Sequence, residues 1–290
     1  MFKLGAITDE ISQDLERAVQ VCKEFGLQTI EIRSVWEKPP HDLTDTDIAA
    51  IQAIAEANGV AVSCIASGFF KCDLDDPAAI AEHHEHLGRC ANLGRQLGTN
   101  MIRGFTFWDK GNTEEVWPRV IEQFGPVIDI CEQEDIILAI ENESSTTVAT
   151  ARLLQRFLAD VNHPRIQAVW DPGNEVCAPT GEKAYPDGYE RVKQWMVHFH
   201  LKDAVRDPAT GEGRCVAVGE GDIDYAGQLK ALLASDYQGA VSLETHWRPK
   251  GQELSKELLD KPGGAAFSQT GEYASRICLE NLVKIVRQIT

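Results

Sequence analysis

The segment that decides the fold reads Ile137-Leu138-Ala139-Ile140-Glu141, a short apolar run that ends on a carboxylate. Two later runs repeat this design, Ala168-Val169-Trp170-Asp171 and Val241-Ser242-Leu243-Glu244, and a third, His198-Phe199-His200-Leu201, carries imidazoles instead. Their acidic or imidazole residues stand roughly 30 to 45 residues apart, which leaves room for one strand, one helix and their loops. Such residues at the carboxyl ends of successive strands predict a (β/α)8 barrel, whose active sites lie at that end.

The whole chain is consistent with eight strand–helix units. Apolar, β-branched runs lie near residues 3–8, 28–33, 60–66, 100–105, 136–141, 166–171, 196–201 and 239–244. Helical patterns follow them over 12–25, 44–58, 77–97, 113–134, 147–160, 185–195, 222–235 and 271–288. This alternation implies a parallel sheet, and nearly continuous apolar strands imply burial on both faces. No Gly-rich turn follows the first strand, as an open nucleotide-binding sheet usually has, so residues 1–290 are predicted to form a single TIM-barrel domain.

Two long connections follow strands that carry candidate ligands. They span residues 203–221 and 248–270, and the second is rich in Lys, Pro and Gly. Long loops after barrel strands either cover the active site or are tolerated surface insertions. The sequence leaves both interpretations open.

The composition restricts which kinds of binding partner and which cellular location are expected. The formal net charge of −17 opposes long-range attraction to nucleic acid and to anionic membranes. No apolar stretch approaches the length of a membrane span, and the apolar run at the N-terminus is too short for a signal peptide. Eight single cysteines, with no Cys-x-x-Cys pair, indicate reduced thiols. We therefore expect a cytoplasmic protein.

Three carboxylates, Glu141, Asp171 and Glu244, are predicted to meet one imidazole, from His198 or His200, at the barrel mouth. Without a cation these groups would raise one another's pKa values and cost stability. Three oxygen ligands and one nitrogen suit a single divalent ion. Mn²⁺ is the leading candidate, with Mg²⁺, Co²⁺ and Zn²⁺ as alternatives.

Five ordered motifs carry a family resemblance. They are Ala-Ile-Glu-Asn-Glu (139–143), Trp-Asp-Pro-Gly-Asn (170–174), His-Phe-His-Leu-Lys-Asp (198–203), Gly-Glu-Gly-Asp (219–222) and Ser-Leu-Glu-Thr-His (242–246). Together they resemble the xylose-isomerase-like TIM-barrel superfamily of sugar-phosphate isomerases and epimerases. The resemblance implies that Glu141, Asp171, His200 and Glu244 bind one divalent metal. It also implies that Glu141 and Glu244 act on the substrate as acid and base.

The chemistry of these residues supports a proton-transfer enzyme. A metal beside a ketone oxygen and a neighbouring hydroxyl acidifies the carbon-bound proton between them, and two glutamates can move that proton through an enediolate. We therefore expect a metal-dependent isomerase or epimerase of a sugar or sugar phosphate. The candidate substrate contacts are Lys202, His246, Glu143, Asn174, Arg33 and Trp108. Structural ion pairs and ordinary packing are their alternatives, and His198 is expected to fill the barrel interior.

Other functions compete with this prediction. A dehydratase of a cyclic polyol or keto acid would use the same metal and similar chemistry, and a non-catalytic sugar-binding protein is a further alternative. An endonuclease IV-like nuclease shares the metal quartet but needs a His where this chain has Asn174, and the net charge disfavours DNA. Ketose 3-epimerases usually carry a His there too, so the substrate need not be a free ketohexose. The expected partner is a small sugar or polyol, and a homo-oligomer stays open.

Overall fold

Eight parallel strands close into a barrel in the computed structural model, which describes residues 1–255, 258 and 265–290. The barrel strands are β1 (Lys3–Ile7), β2 (Thr29–Ile32), β3 (Ala61–Phe69), β4 (Met101–Gly104), β5 (Ile137–Glu141), β6 (Ile166–Trp170), β7 (Met196–Leu201) and β10 (Ala240–Leu243). Each strand pairs in parallel with the next along the chain, and β10 closes the ring between β7 and β1. The predicted (β/α)8 barrel is confirmed.

Helices connect the strands around the outside of the barrel. They are α1 (Leu15–Glu24), α2 (Asp45–Asn58), α3 (Pro77–Leu97), α4 (Thr113–Glu122), α5 (Phe124–Gln133), α6 (Ala151–Val161), α7 (Pro172–Cys177), α8 (Tyr189–Val192), α9 (Tyr225–Ala234), α10 (Ala265–Ser268) and α11 (Gly271–Ile289). Several begin at a capping side chain. At α2 the Thr44 hydroxyl accepts from the Asp47 N–H and the Asp47 carboxylate accepts from the Thr44 N–H, which satisfies two free N–H groups.

Amphipathic faces place the core between the helices and the barrel. In α6 the buried residues Ala151, Leu154, Phe157 and Leu158 follow the helical repeat, so one stripe packs inward. The eight cysteines are free thiols, as predicted. Among the helices that the structure describes, none combines the length and the apolar character that a membrane crossing requires.

Some connections differ from the sequence prediction. The single helix predicted over 113–134 is two helices, because Pro126 lacks the N–H that would continue α4 into α5. The helix predicted over 185–195 is only α8, preceded by a π turn at Ala184–Gly188. The short helix α7 was not predicted, although Asp171 followed by Pro172 is a typical helix start.

Both long loops contain structure of their own. Residues 203–221 include an antiparallel hairpin of β8 (Asp203–Arg206) and β9 (Gly213–Val216). Within 248–270, the short helix α10 is described, and residues 256, 257 and 259–264 of that predicted loop lie outside the described residues. The hairpin shows that the first loop is more than an irregular surface insertion.

Candidate metal centre

Four predicted ligands meet at the C-terminal mouth of the barrel. Glu141 is the last residue of β5, Asp171 follows β6, His200 is the second-to-last residue of β7, and Glu244 follows β10. One ligand-type atom from each lies within 4.8 Å of the corresponding atoms of the others. All four are at most 3% exposed. The geometry brings the quartet together, and metal binding by these residues stays a prediction.

The imidazole of His200 faces the quartet with one of its nitrogens. Nδ1 lies 3.1 Å from Glu141 Oε1 and 3.8 Å from Glu244 Oε2. The opposite nitrogen, Nε2, lies 3.2 Å from Oε2 of Glu31 on β2. The nitrogen available to an ion shared with the three carboxylates is therefore Nδ1.

Asp171 shows that the donor set fits a cation. Its Oδ1 accepts the N–H of Asn174, which caps α7. Its buried Oδ2 has no partner with hydrogen-bond geometry among the described residues, although Lys202 Nζ lies at an ion-pair distance of 3.0 Å. The charge of Lys202 offsets part of the cost of burying this oxygen, and a divalent ion that prefers oxygen ligands would offset more of it. The quartet could therefore hold a metal ion.

Burial and neighbouring charges give the carboxyl groups of the quartet different pKa values. Burial raises the pKa of Asp171 to about 7, with help from the charges of Glu141 and Glu244 and against the effect of Lys202. Burial also raises the pKa of Glu141, but His200 and Arg103 outweigh it and bring the value to about 2. Burial and neighbouring charges therefore shift the pKa values of these two carboxyl groups in opposite directions.

Buried cations surround the quartet. Lys202 Nζ lies 2.7 Å from Glu244 Oε2, in addition to its contact with Asp171. Arg103 Nη1 lies 3.2 Å from Glu141 Oε2 and 3.7 Å from Glu244 Oε1. Lys202 therefore touches two of the candidate ligands, and Arg103 touches both glutamates.

Arg33 contacts the carboxylate oxygen of Glu244 that Lys202 does not contact. It donates from Nη1 to Glu244 Oε1 at 3.0 Å, from Nη2 to Glu10 Oε1 at 2.6 Å and from Nε to Asp9 Oδ1 at 3.0 Å. His246 Nε2 lies 3.2 Å from Glu10 Oε1 and 3.4 Å from Glu244 Oε1. Both predicted substrate contacts therefore adjoin the centre, and Arg33 already holds three carboxylates there.

Three other candidate contacts lie on the opposite side of the mouth. Asn174 donates from Nδ2 to Glu141 Oε1 at 3.2 Å. Glu143 Oε2 accepts from Lys71 Nζ at 3.3 Å, and Lys71 Nζ lies 5.7 Å from the ring centroid of the half-buried Trp108. Asn174 is thus in direct contact with the quartet, whereas Glu143 and Trp108 form a separate group around Lys71.

Several buried polar residues of the site were missed by the sequence analysis. Glu31 is the most central, since it contacts His200 and also His198, whose Nε2 lies 2.6 Å from Glu31 Oε1. Its signal was weak: one acid inside the apolar run 28–33. Lys71 lies in the loop after β3, and Asp9 and Glu10 lie in a short 3-10 helix after β1, which the motifs do not include. His198 lies inside the barrel, as predicted.

The hairpin after β7 borders the site. Asp203 Oδ2 accepts the N–H groups of Gly219 at 2.7 Å and Gly221 at 3.1 Å. Arg206 donates to the carbonyls of Val176 at 2.9 Å and Gly181 at 2.8 Å, around the end of α7. Because Asp171 caps α7, these bonds tie the hairpin to the helix next to a candidate ligand.

A TIM barrel with three carboxylates and one imidazole at its strand ends is the arrangement that the sequence motifs predicted. Comparison with known proteins places the chain in the same family. The chain belongs to the xylose isomerase-like TIM barrel family, whose model matches residues 19–261.

Individual relatives share a low sequence identity with this chain. A curated Escherichia coli K12 protein named "Putative L-ribulose-5-phosphate 3-epimerase SgbU" is 24% identical over 286 residues, covering 89% of this chain and 93% of the relative. Three solved structures, each 18% identical, share the fold. A xylose isomerase domain protein from Planctomyces limnophilus has a TM-score of 0.74, with coverage of 99% of this chain and 98% of the other. The IOLI protein with a bound zinc atom has a TM-score of 0.73, at 100% and 99% coverage. The probable 3-DHS dehydratase AsbF from Bacillus anthracis has a TM-score of 0.70, at 97% and 98% coverage.

Proposed function

We propose that the protein is a metal-dependent isomerase or epimerase of a sugar or sugar phosphate, which transfers a proton at a carbon next to a carbonyl. The observation that carries the proposal is the pair of buried glutamates, Glu141 and Glu244, on β5 and after β10, both within 4 Å of His200 Nδ1. Two strands, β6 and β7, separate them in the barrel, so they approach the centre from different sides. Such a pair can take a proton from one face of a substrate and return it on the other.

The residues have distinct roles in this reaction. Glu141, Asp171, His200 and Glu244 would hold one divalent ion, with Mn²⁺ as the proposed metal. When bound, the ion would supply the Lewis acidity that makes a proton next to the carbonyl easier to remove. Glu141 and Glu244 then exchange that proton through an enediolate. Lys202, which touches Glu244, is suited to stabilise the negative charge that develops on the substrate oxygens.

The remaining contacts would position the substrate. Arg33 and His246 beside Glu244, and Asn174 beside Glu141, flank the two proton-transfer groups. Glu143 and Trp108 offer hydrogen bonds and an aromatic face to the distal part of a sugar. We also propose that residues 1–290 form one domain, and the free cysteines support a reducing, cytoplasmic location.

Two comparisons bear on the reaction type. The curated relative carries an epimerase name, which supports the isomerase class. The solved structure named as a probable dehydratase makes dehydration the second candidate, since it shares the fold. The quartet itself suits either reaction, so an experiment on the product is needed.

Deuterium incorporation separates the two reactions. The protein, loaded with Mn²⁺, is incubated in D₂O with a panel of ketoses, ketose phosphates and cyclic polyols. We expect deuterium at one carbon of a substrate or product that keeps its formula, as read by mass spectrometry and NMR. A product lighter by one water would identify dehydration instead, and turnover without solvent deuterium would contradict a shared enediolate mechanism.

Metal removal is expected to lower the melting temperature. An ion that binds only the folded chain adds to its stability by mass action, about 2.7 kcal/mol at 100 times its dissociation constant. A chelator should therefore shift the melting curve of the metal-loaded protein downward. Asp171→Asn should abolish that shift, because asparagine can still cap α7 but brings no carboxylate charge. Identical curves with and without chelator in the wild type would contradict metal binding.

A further inference from the structure

A buried carboxylate links the two histidines of β7 inside the barrel. Glu31 Oε1 lies 2.6 Å from His198 Nε2, and Glu31 Oε2 lies 3.2 Å from His200 Nε2. All three residues are at most 1% exposed. The proposed proton-transfer chemistry does not use Glu31 or His198, so their burial needs another explanation.

The strand order shows that this contact joins two strands that are not neighbours in the barrel. In the closed barrel β2 and β7 are not neighbours, since β1 and β10 lie between them. Glu31 must therefore reach across the barrel interior to meet His198 and His200, which point to the same side because they are two residues apart on one strand. A carboxylate placed there at the cost of its hydration indicates a specific partner.

One of its two histidine partners is the candidate ligand His200. Its Nδ1 faces Glu141 and Glu244, while its Nε2 faces Glu31. A neutral imidazole carries its hydrogen on one nitrogen only, so a carboxylate that accepts a hydrogen from Nε2 leaves the Nδ1 lone pair free. Histidines that bind metals usually donate their second N–H in this way.

We infer that Glu31 is a positioning residue, which accepts the Nε2 hydrogen of His200 and so fixes the ring with Nδ1 toward the metal centre. His198 donates from Nε2 to the other oxygen of Glu31 and holds that carboxylate in place. The inference rests on the proposed function, because it requires His200 to bind an ion.

A second metal ion is the competing explanation. Glu31, His198 and His200 also form a group whose ligand-type atoms lie within 4.8 Å of one another. However, the 2.6 Å contact between Glu31 and His198 is that of a hydrogen bond, shorter than two ligands on one ion would allow. Counting the ions bound per chain distinguishes the two explanations.

The experiment measures Mn²⁺ binding by calorimetry in the wild type and in Glu31→Gln. We expect one ion per chain in both, with a dissociation constant about 10- to 100-fold higher in Glu31→Gln. Co²⁺ absorption spectra should also change in the variant, since the ligand ring is less constrained. The matched control is Glu175→Gln, because Glu175 is a fully buried acid that accepts from the backbone of Ala151 and Glu182 rather than from a ligand. It should lower the melting temperature but leave the Mn²⁺ dissociation constant within about 3-fold.

If Glu31→Gln does not fold, Glu31→Asp replaces it as the test variant. The shorter aspartate side chain cannot reach both histidines, so this variant should also bind Mn²⁺ more weakly. Equal affinities in the wild type and in a folded Glu31 variant would overturn the positioning role while leaving the proposed function intact. Two ions in the wild type and one in the variant would overturn it in favour of a second metal site. If the wild type bound no ion, that result would contradict both the proposed metal-dependent function and this inference.

Discussion

Glu244→Gln and Glu141→Gln are each expected to reduce turnover by about 10² to 10⁴ on a confirmed substrate. Glutamine nearly keeps the size of the side chain but cannot accept a proton at neutral pH. Because both residues would share the two-step proton transfer, the two variants should behave alike. The measurement is the rate of product formation, together with the rate of deuterium uptake, at saturating Mn²⁺.

Two controls distinguish the loss of a proton-transfer group from weaker metal binding. Both glutamates are candidate ligands, so the Mn²⁺ dissociation constant of each variant must be measured and the assay run well above it. Glu175→Gln, a buried acid outside the quartet, should keep most of the activity. Full turnover in Glu244→Gln at saturating metal would show that the two-glutamate mechanism is wrong, whatever the fold.

Arg33→Met should lower the free energy of unfolding by about 3 to 5 kcal/mol. Arg33 is 3% exposed and holds Asp9, Glu10 and Glu244, so its removal leaves buried carboxylates with fewer donors. Ser34, His246 and Lys202 still contact these carboxylates, which limits the loss. Urea unfolding followed by circular dichroism, in the presence of a chelator, measures the change without a contribution from metal binding.

The comparison variant is Arg17→Met. Arg17 pairs with Glu272, but its side chain is 50% exposed, and exposed pairs contribute little because water screens them. Its unfolding curve should nearly overlay that of the wild type. If Arg33→Met were no less stable than Arg17→Met, the buried cluster around Glu10 and Glu244 would not contribute to stability as its geometry implies.

The strand ends were predictable from sequence because they are local features. Glu141, Asp171 and Glu244 each follow an apolar run, and parallel strands bring their carboxyl ends to one rim. Choosing His200 rather than His198 required the family motif, since both residues point to the same side of β7.

Contacts across the barrel could not be predicted in the same way. Glu31 meets His198 and His200 from a strand that is not a neighbour, so no sequence spacing encodes the contact. Likewise, Arg33 was predicted as a substrate contact, but nothing in its local sequence identifies Asp9 and Glu244 as partners. Such pairs depend on the tilt and stagger of the closed barrel.

The cross-barrel contact of Glu31 also bears on how the chain folds. Without β7, Glu31 would have neither histidine as a partner, and without β2, His198 and His200 would lose their shared acceptor. Uncompensated buried charge is strongly destabilising, so partial barrels gain little from forming early. The buried contact therefore couples the stability of β2 to that of β7, two strands that lie far apart in the sequence.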